Sequence, residues 1–335
     1  MGHESMRVVF VAGNREQLPD PVIPLGVLSV LAACPERHAR TLVDLCFEAD
    51  PEAALAARLD AAPPDVVAIG MRNVQDNDFG SIDASVVYYR SLVAVARAHA
   101  PGARVVIGGG GFSVMPEALL AALGADFGVA GEGEIAFARL LDALEADAPL
   151  GDVPGILWME AGRVVRSGAP RPSASLDALP LVDRRLVDPR YHERCGTDSV
   201  QTKRGCPLAC TYCTYPDIEG RTHRLRDPER VADELELIEA AGARHVFVVD
   251  AVFNLPARHA LLVCEAIVRR GIALPWTSYV NPISFDPTLA EAMRRAGAVG
   301  MEVGSDSGDD AVLLRLRKGF DTAAIRRLRA VARAA

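Results

Sequence analysis

The chain has 335 residues, 50 % hydrophobic and 24 % charged, with 36 lysines and arginines against 44 aspartates and glutamates for a net charge of −8. That length suits about two domains with substantial cores and excludes a disordered chain, while the acidic balance argues against electrostatic binding to nucleic acid or an anionic membrane surface. The apolar runs fall far short of a bilayer span, no signal-peptide pattern opens the chain, and seven cysteines, three of them crowded together, read as cofactor ligands in a reducing cytoplasm.

In chain order, RVVFVA (7–12) reads as a buried strand and 22–34 as the helix after it. The pattern then predicts a strand over 40–46, a helix over 51–61, a strand over 65–71 and a helix near 84–99. Next come a strand over 103–109, a helix near 116–123, a strand over 126–131 and a helix over 134–145. Five short apolar strands separated by helices imply a parallel, doubly wound sheet, here of flavodoxin-like type. A β-hairpin follows over 155–168, then a Pro-rich connector over 170–186. Further strands are expected over 245–250, 277–282 and 299–308, with amphipathic helices over 227–242 and 287–297 and a final helix.

Ligands of such a sheet sit beyond the carboxyl ends of its strands, so the loops there matter most. They are GNREQLPDP (13–21), MRNVQDNDFG (71–80), the run Gly108–Gly111, and Gly131-Glu132-Gly133-Glu134. Four consecutive glycines cost chain entropy and suit backbone that approaches a ligand closely. For any one loop alone, an ordinary turn plus a helix cap is the plainer reading. No Gly-x-Gly-x-x-Gly follows the first strand and no P-loop motif occurs, which weakens nicotinamide and nucleoside-triphosphate readings.

The sharpest signal is RGCPLACTYCTYP (204–216), in which Cys206, Cys210 and Cys213 form C-x3-C-x2-C. Three soft thiolates from one loop suit an iron–sulfur cluster, and three ligands for four irons leave one iron open. A structural zinc site is the competing reading, with His223 as the nearby fourth ligand. Cys34, Cys46 and Cys264 lie in apolar periodic segments as core thiols, and Cys195 lies in a polar stretch.

SVQTKRGCPLACTYC resembles the cluster loop of the radical SAM superfamily. The segments PLGVLSVLAA, PDVVAIG, IGGGGFSVMPEALL and GVAGEGE resemble the cobalamin-binding domain found ahead of radical SAM domains. Together the two resemblances cover nearly the whole chain. They imply domains over 1–150 and 191–335, with a connector over 151–190, the second being a partial (β/α) half-barrel. They also imply that Cys206, Cys210 and Cys213 hold a [4Fe–4S] cluster whose open iron binds S-adenosylmethionine. Tyr212, Asp250, Asp306 and Ser307 would help seat that molecule, although Asp250 and Asp306 also read as capping or loop carboxylates. Arg72, Asn73, Gly108, Gly109, Gly110 and Glu132 would border the corrin. The implied activity is C-methyl transfer to an unactivated carbon, drawing electrons from a flavodoxin- or ferredoxin-like donor. Alternatives are radical cyclisation, ring rearrangement or lipid modification without methyl transfer, and a non-catalytic cobalamin-binding module.

Two features depart from the family pattern. The loop after the first strand has no histidine to ligate cobalt, and Arg72 has no lone pair to replace it; Arg72 pairing with Asp76 or Asp78 is the plainer alternative. Only four strands are counted from residue 199 onward, where the family usually has six, so a C-terminally short domain is expected.

Overall fold

The computed structural model describes residues 5–74 and 82–335, and the chain divides into two units, residues 1–173 with 179–188, and 174–178 with 189–335.

In the first unit the strands are β1 (Arg7–Ala12), β2 (Ala39–Asp44), β3 (Val66–Gly70), β4 (Arg104–Gly108) and β5 (Phe127–Val129), followed by the hairpin β6 (Ile156–Glu160) and β7 (Arg163–Arg166). Their order is β2-β1-β3-β4-β5-β6-β7, with β1 to β5 parallel and β6 antiparallel to β5. The helices are α1 (Leu25–Ala33), α2 (Pro51–Ala61), α3 (Ile82–His99), α4 (Gly110–Val114), α5 (Pro116–Leu123) and α6 (Gly133–Glu145). Alternation along each strand feeds two cores. Val9, Val11, Val67, Ile69, Val105 and Ile107 pack with Leu55, Leu92 and Leu120, while Val8, Phe10, Val66 and Val106 pack with Leu31, Phe137 and Leu140. Both sheet faces are therefore covered, as strands without a polar alternate face require. The order reverses between β1 and β3, which places the switch-point crevice at the loops following those two strands.

The expected connector is shared out differently. The hairpin extends the first sheet through β5, so this unit runs to Ser173 and not to 150, because Phe127–Val129 is too short to close a sheet edge alone and pairs with Ile156–Trp158.

The second unit opens with α7 (Pro189–Arg194) and β8 (Thr197–Val200), then β9 (Lys203–Arg204), α8 (Tyr215–Glu219) and β10 (Arg224–Leu225), with β9 and β10 antiparallel. There follow α9 (Pro228–Ala240), β11 (His245–Val248), α10 (Ala257–Arg270), β12 (Trp276–Tyr279), α11 (Pro287–Arg295), β13 (Ala298–Glu302), α12 (Asp310–Arg315) and α13 (Thr322–Ala334). The parallel sheet β13-β12-β11-β8 advances one strand per crossover, the winding of a (β/α) half-barrel, with four strands among the described residues. Asp-Pro pairs start four of the described helices, α2, α7, α9 and α11. Asp50, Asp227 and Asp286 each accept a backbone N–H in the first turn, and the proline after each has no N–H to leave orphaned. The core lies between sheet and helices, where Val246, Val248 and Trp276 meet Val231, Val263, Ile267 and Leu289, and the indole of Trp276 donates to the carbonyl of Ala296 at 2.7 Å.

Candidate functional site

Two groups of sequence-selected residues stand at the carboxyl ends of strands, one in each unit. In the first unit, β3 runs into Met71, which is buried, and then Arg72 and Asn73, which are exposed. The Met71 N–H donates to Gly108 O at 2.8 Å and the Gly111 N–H donates to Met71 O at 3.0 Å, so this loop is laced to the glycine run. That lacing explains the glycines. A Cβ on Gly109, whose φ is +104°, would stand 2.5 Å from Met71 O, and one on Gly111 would stand 2.7 Å from the carbonyl carbon of Asn73. The room is taken by neighbouring backbone. Gly110 is different, since its Cβ would meet only Arg72 O at 3.5 Å, and Gly108 has Val129 O at 3.3 Å. Glu132 accepts the Ser173 N–H at 3.1 Å and so ties down the chain after the hairpin.

Arg72 makes no ion pair among the described residues, and Asp76 and Asp78, its partners in the alternative reading, lie outside them. In the loop after β1, the Asn14 side-chain amide nitrogen is buried, and in α3 so is the Tyr88 hydroxyl; neither has a hydrogen-bond partner among the described residues. Arg15 lies 5.3 Å over the Tyr88 ring, and burial pushes that phenol's pKa well up. Buried polar atoms left unsatisfied mark a place where a ligand or water completes the bonding. The amide in the loop after β1, and the α3 phenol beneath Arg15 of that loop, fit the polar rim of a large ligand such as a corrin.

In the second unit the cysteine loop leaves β8 through Gln201, Thr202 and β9. Asp250, directly after β11, is 1 % exposed and fully engaged. Its carboxylate accepts from Thr202 N at 2.7 Å, the Thr202 hydroxyl, Lys203 N at 3.2 Å and Lys203 Nζ at 2.8 Å. Lys203 also donates to Phe253 O at 2.8 Å. Asp250 thus acts on the root of the cysteine loop. Gly205 follows at φ +85°, where a Cβ would lie 2.1 Å from Thr222 O, so only glycine lets the two ends of the loop pass. Cys206 N then donates to Gly220 O at 3.0 Å, and Cys213 N closes a turn onto Cys210 O at 3.3 Å.

Cys206 is buried, and Cys210 and Cys213 are half-buried. Burial is the main cause that pushes the Cys206 thiol up, and the three thiols stand on one short loop. A buried thiol such as Cys206 resists ionising unless a cation compensates it, and a thiolate-ligated iron cluster would supply that cation. Among the described residues no three His, Cys, Asp or Glu side chains converge on one point as a single ion requires. A four-iron cluster spreads its ligands over separate irons and makes no such demand.

Tyr212 is 55 % exposed, yet its hydroxyl donates to Asp306 and accepts from Lys318 Nζ at 2.7 Å, while Lys318 Nζ and Asp306 Oδ2 pair at 2.5 Å. Ser307 Oγ accepts the Asp309 N–H at 3.1 Å at the start of α12. Tyr212 and Asp306 therefore meet beside the cysteine turn, Ser307 follows Asp306 in the chain, and Asp250 lies beneath the root of the loop. Lys203 and Lys318 were not singled out from the sequence. Their signal was faint, a lysine beside the cysteine motif and the Lys-Gly of LRKG (316–319).

Comparisons with known proteins match one stretch in each unit. The family model for the B12 binding domain matches residues 13–141, and that for the radical SAM superfamily matches residues 200–335. The tryptophan 2-C-methyltransferase of Streptomyces laurentii is 29 % identical over 356 residues, covering 88 % of this chain and 59 % of the relative. The anaerobic magnesium-protoporphyrin IX monomethyl ester cyclase of Synechocystis is 29 % identical over 332 residues, covering 94 % and 63 %. A solved structure of the radical S-adenosylmethionine methyltransferase TsrM from Kitasatospora setae, with cobalamin and [4Fe-4S] cluster bound, superimposes with a TM-score of 0.87 at 27 % identity, covering 98 % of this chain and 67 % of that one. The chain spans about three fifths of the length of those curated relatives. No helix among the described residues is long and apolar enough to cross a membrane.

Proposed function

We propose that this chain, which belongs to the radical SAM superfamily and carries a B12 binding domain ahead of its radical SAM domain, serves C-methyl transfer from S-adenosylmethionine through cobalamin to an unactivated carbon of a small molecule. The observation that carries the reading is the cysteine turn at the carboxyl end of the first half-barrel strand, three thiols on a loop pinned at both ends. Bound at these sites, a [4Fe–4S] cluster would supply the electron that cleaves S-adenosylmethionine, and a corrin would carry the methyl group.

The chain's own residues do the holding. Cys206, Cys210 and Cys213 ligate the cluster and leave one iron open. Tyr212, Asp306 and Ser307 seat S-adenosylmethionine beside it, and Asp250 supports them by clamping Lys203 and Thr202. Arg72, Asn73, Gly108, Gly109, Gly110 and Glu132 border the corrin. Arg72 has no lone pair and so cannot ligate cobalt. Electrons come from a flavodoxin- or ferredoxin-like donor in a reducing cytoplasm. Ring closure without methyl transfer is the second reading, favoured by the match over 94 % of this chain to a cyclase.

The test is anaerobic purification with cobalamin supplied, with iron, sulfide and cobalt quantified beside a variant carrying Cys206→Ala, Cys210→Ala and Cys213→Ala. About four irons and about one cobalt per chain, with iron alone lost in the variant, are expected. Iron without cobalt sinks the methyl-transfer reading. Methyl-labelled S-adenosylmethionine then separates the two readings, since only methyl transfer moves the label into product.

A further inference from the structure

Lys318 is buried at 5 % exposure although it lies in the loop between α12 and α13, with exposed Arg317 and Gly319 on either side. A buried lysine needs partners, and Tyr212, Asp306 and Phe320 supply them, the Phe320 ring centroid lying 5.8 Å from Nζ. Nζ donates to the Tyr212 hydroxyl at 2.7 Å, pairs with Asp306 at 2.5 Å, and lies 5.2 Å from the Tyr212 ring centroid. One residue pair away, Thr211 N donates to Leu316 O at 3.1 Å. The segment 306–318 thus grips the cysteine turn by backbone and by side chain, between Cys210 and Cys213.

Asp306 carries an independent mark of the same grip. Its φ is +60°, in the left-handed region that few non-glycine residues occupy. The tight turn around it, with Ser307 N on Ser305 O at 2.7 Å, points the carboxylate at Tyr212 and Lys318. An uncommon backbone state held by contacts of high sequence separation is the kind found where a geometry must be kept.

The cation is held against the turn itself. Lys318 reaches the hydroxyl of Tyr212, the residue before Cys213, and Leu316 O takes the N–H of Thr211, the residue after Cys210.

We propose that Lys318 is a positioning residue that fixes Tyr212 and the Cys210–Cys213 turn, and that its charge raises the reduction potential of a cluster held by the three cysteines. This rests on the cluster reading above. A cation beside a thiolate ligand favours the reduced, more negative cluster, and Asp306 tempers that effect.

The experiment is a redox titration of the reconstituted full chain with titanium(III) citrate, followed by electron paramagnetic resonance, with iron and sulfide counted in every sample. Lys318→Met is expected to keep its iron and to lower the reduced-to-oxidised ratio at a fixed poise about tenfold, which is about 59 mV for one electron. Lys318→Arg restores most of the potential, and Asp306→Asn shifts it the opposite way by leaving the cation less compensated. A mere loosening of the fold would not reverse sign between the two charges. A wild-type cluster whose potential is unmoved by Lys318→Met, or moved in the same direction by Asp306→Asn, overturns this inference and leaves the cluster reading standing. A wild-type chain that takes up no iron overturns both.

Discussion

The two units hold their candidate sites by opposite means. At the edge of the seven-stranded sheet, loops fit one another by omission. Gly109 and Gly111 have no side chains, so Met71–Asn73 can lie against them, and Arg72 and Asn73 are left exposed. At the end of the half-barrel the loop is held by paired charge, the buried Lys203–Asp250 pair beneath it and buried Lys318 on the exposed Asp306 beside it. A large flat ligand needs room and several loops at once, which close backbone packing provides. Three sulfurs around a small cluster need one loop held still, and paired charges in a low-dielectric setting are directional enough to do that.

The strongest way to break this contrast is Asp250→Ala. Removing one partner of a buried ion pair strands the other, here with two backbone N–H groups as well, and costs about 3–5 kcal/mol. The chain has two tryptophans, Trp158 in the first unit and Trp276 in the second, so a Trp158→Phe background lets urea unfolding be followed in the second unit alone. A loss under about 1 kcal/mol would show that the pair does not hold the loop.

Next in size is a pair of glycine substitutions. Gly109→Ala meets Met71 O and a positive φ together, and is expected to cost the first unit about 1–3 kcal/mol. Gly110→Ala meets only Arg72 O, at an ordinary contact distance of 3.5 Å, at the first position of α4 and should stay within about 0.5 kcal/mol. Equal effects in urea titrations followed by Trp158 would mean that the run of glycines is spacer and not fitted backbone.

Smallest is the response to acid. Burial lowers the pKa values of His223, His245 and His259 in the second unit, with Lys203 adding to the shift at His223; in the first unit burial lowers that of His38. A depressed folded pKa means the native state keeps the imidazole neutral while the unfolded chain takes the proton at its ordinary value. The stability from this source is complete above pH of about 6.5 and is lost as pH falls below it. Melts at about pH 7.5 and about pH 5.5 should therefore show the second unit losing more than the first, three histidines against one. The reverse order would place the acid-sensitive burial in the sheet edge instead.

Much of both sites was legible before any fold was known. The strands of the first sheet fall within a few residues of their expected bounds, because alternating apolar runs bounded by Gly and Asp-Pro signals are local patterns. The cysteine spacing was legible for the same reason. Less so was the hairpin's allegiance, since Ile156–Trp158 pairs with Phe127–Val129 across a full helix. Asp250 was expected to face a ligand, and the structure turns its carboxylate to Lys203, 47 residues back.

The amino-acid sequence by itself determined the order of elements, the doubly wound class and the three-thiol loop, because period and spacing act within one turn or strand; the half-barrel class came from the resemblance to a known family. Only the tertiary structure decided that the glycine run accommodates another loop's backbone and that Lys318 holds Tyr212 across 106 residues. Neither is encoded in local spacing. Each arises when segments distant in the chain are packed together, and burial then obliges a charge to find a partner or a backbone to find room.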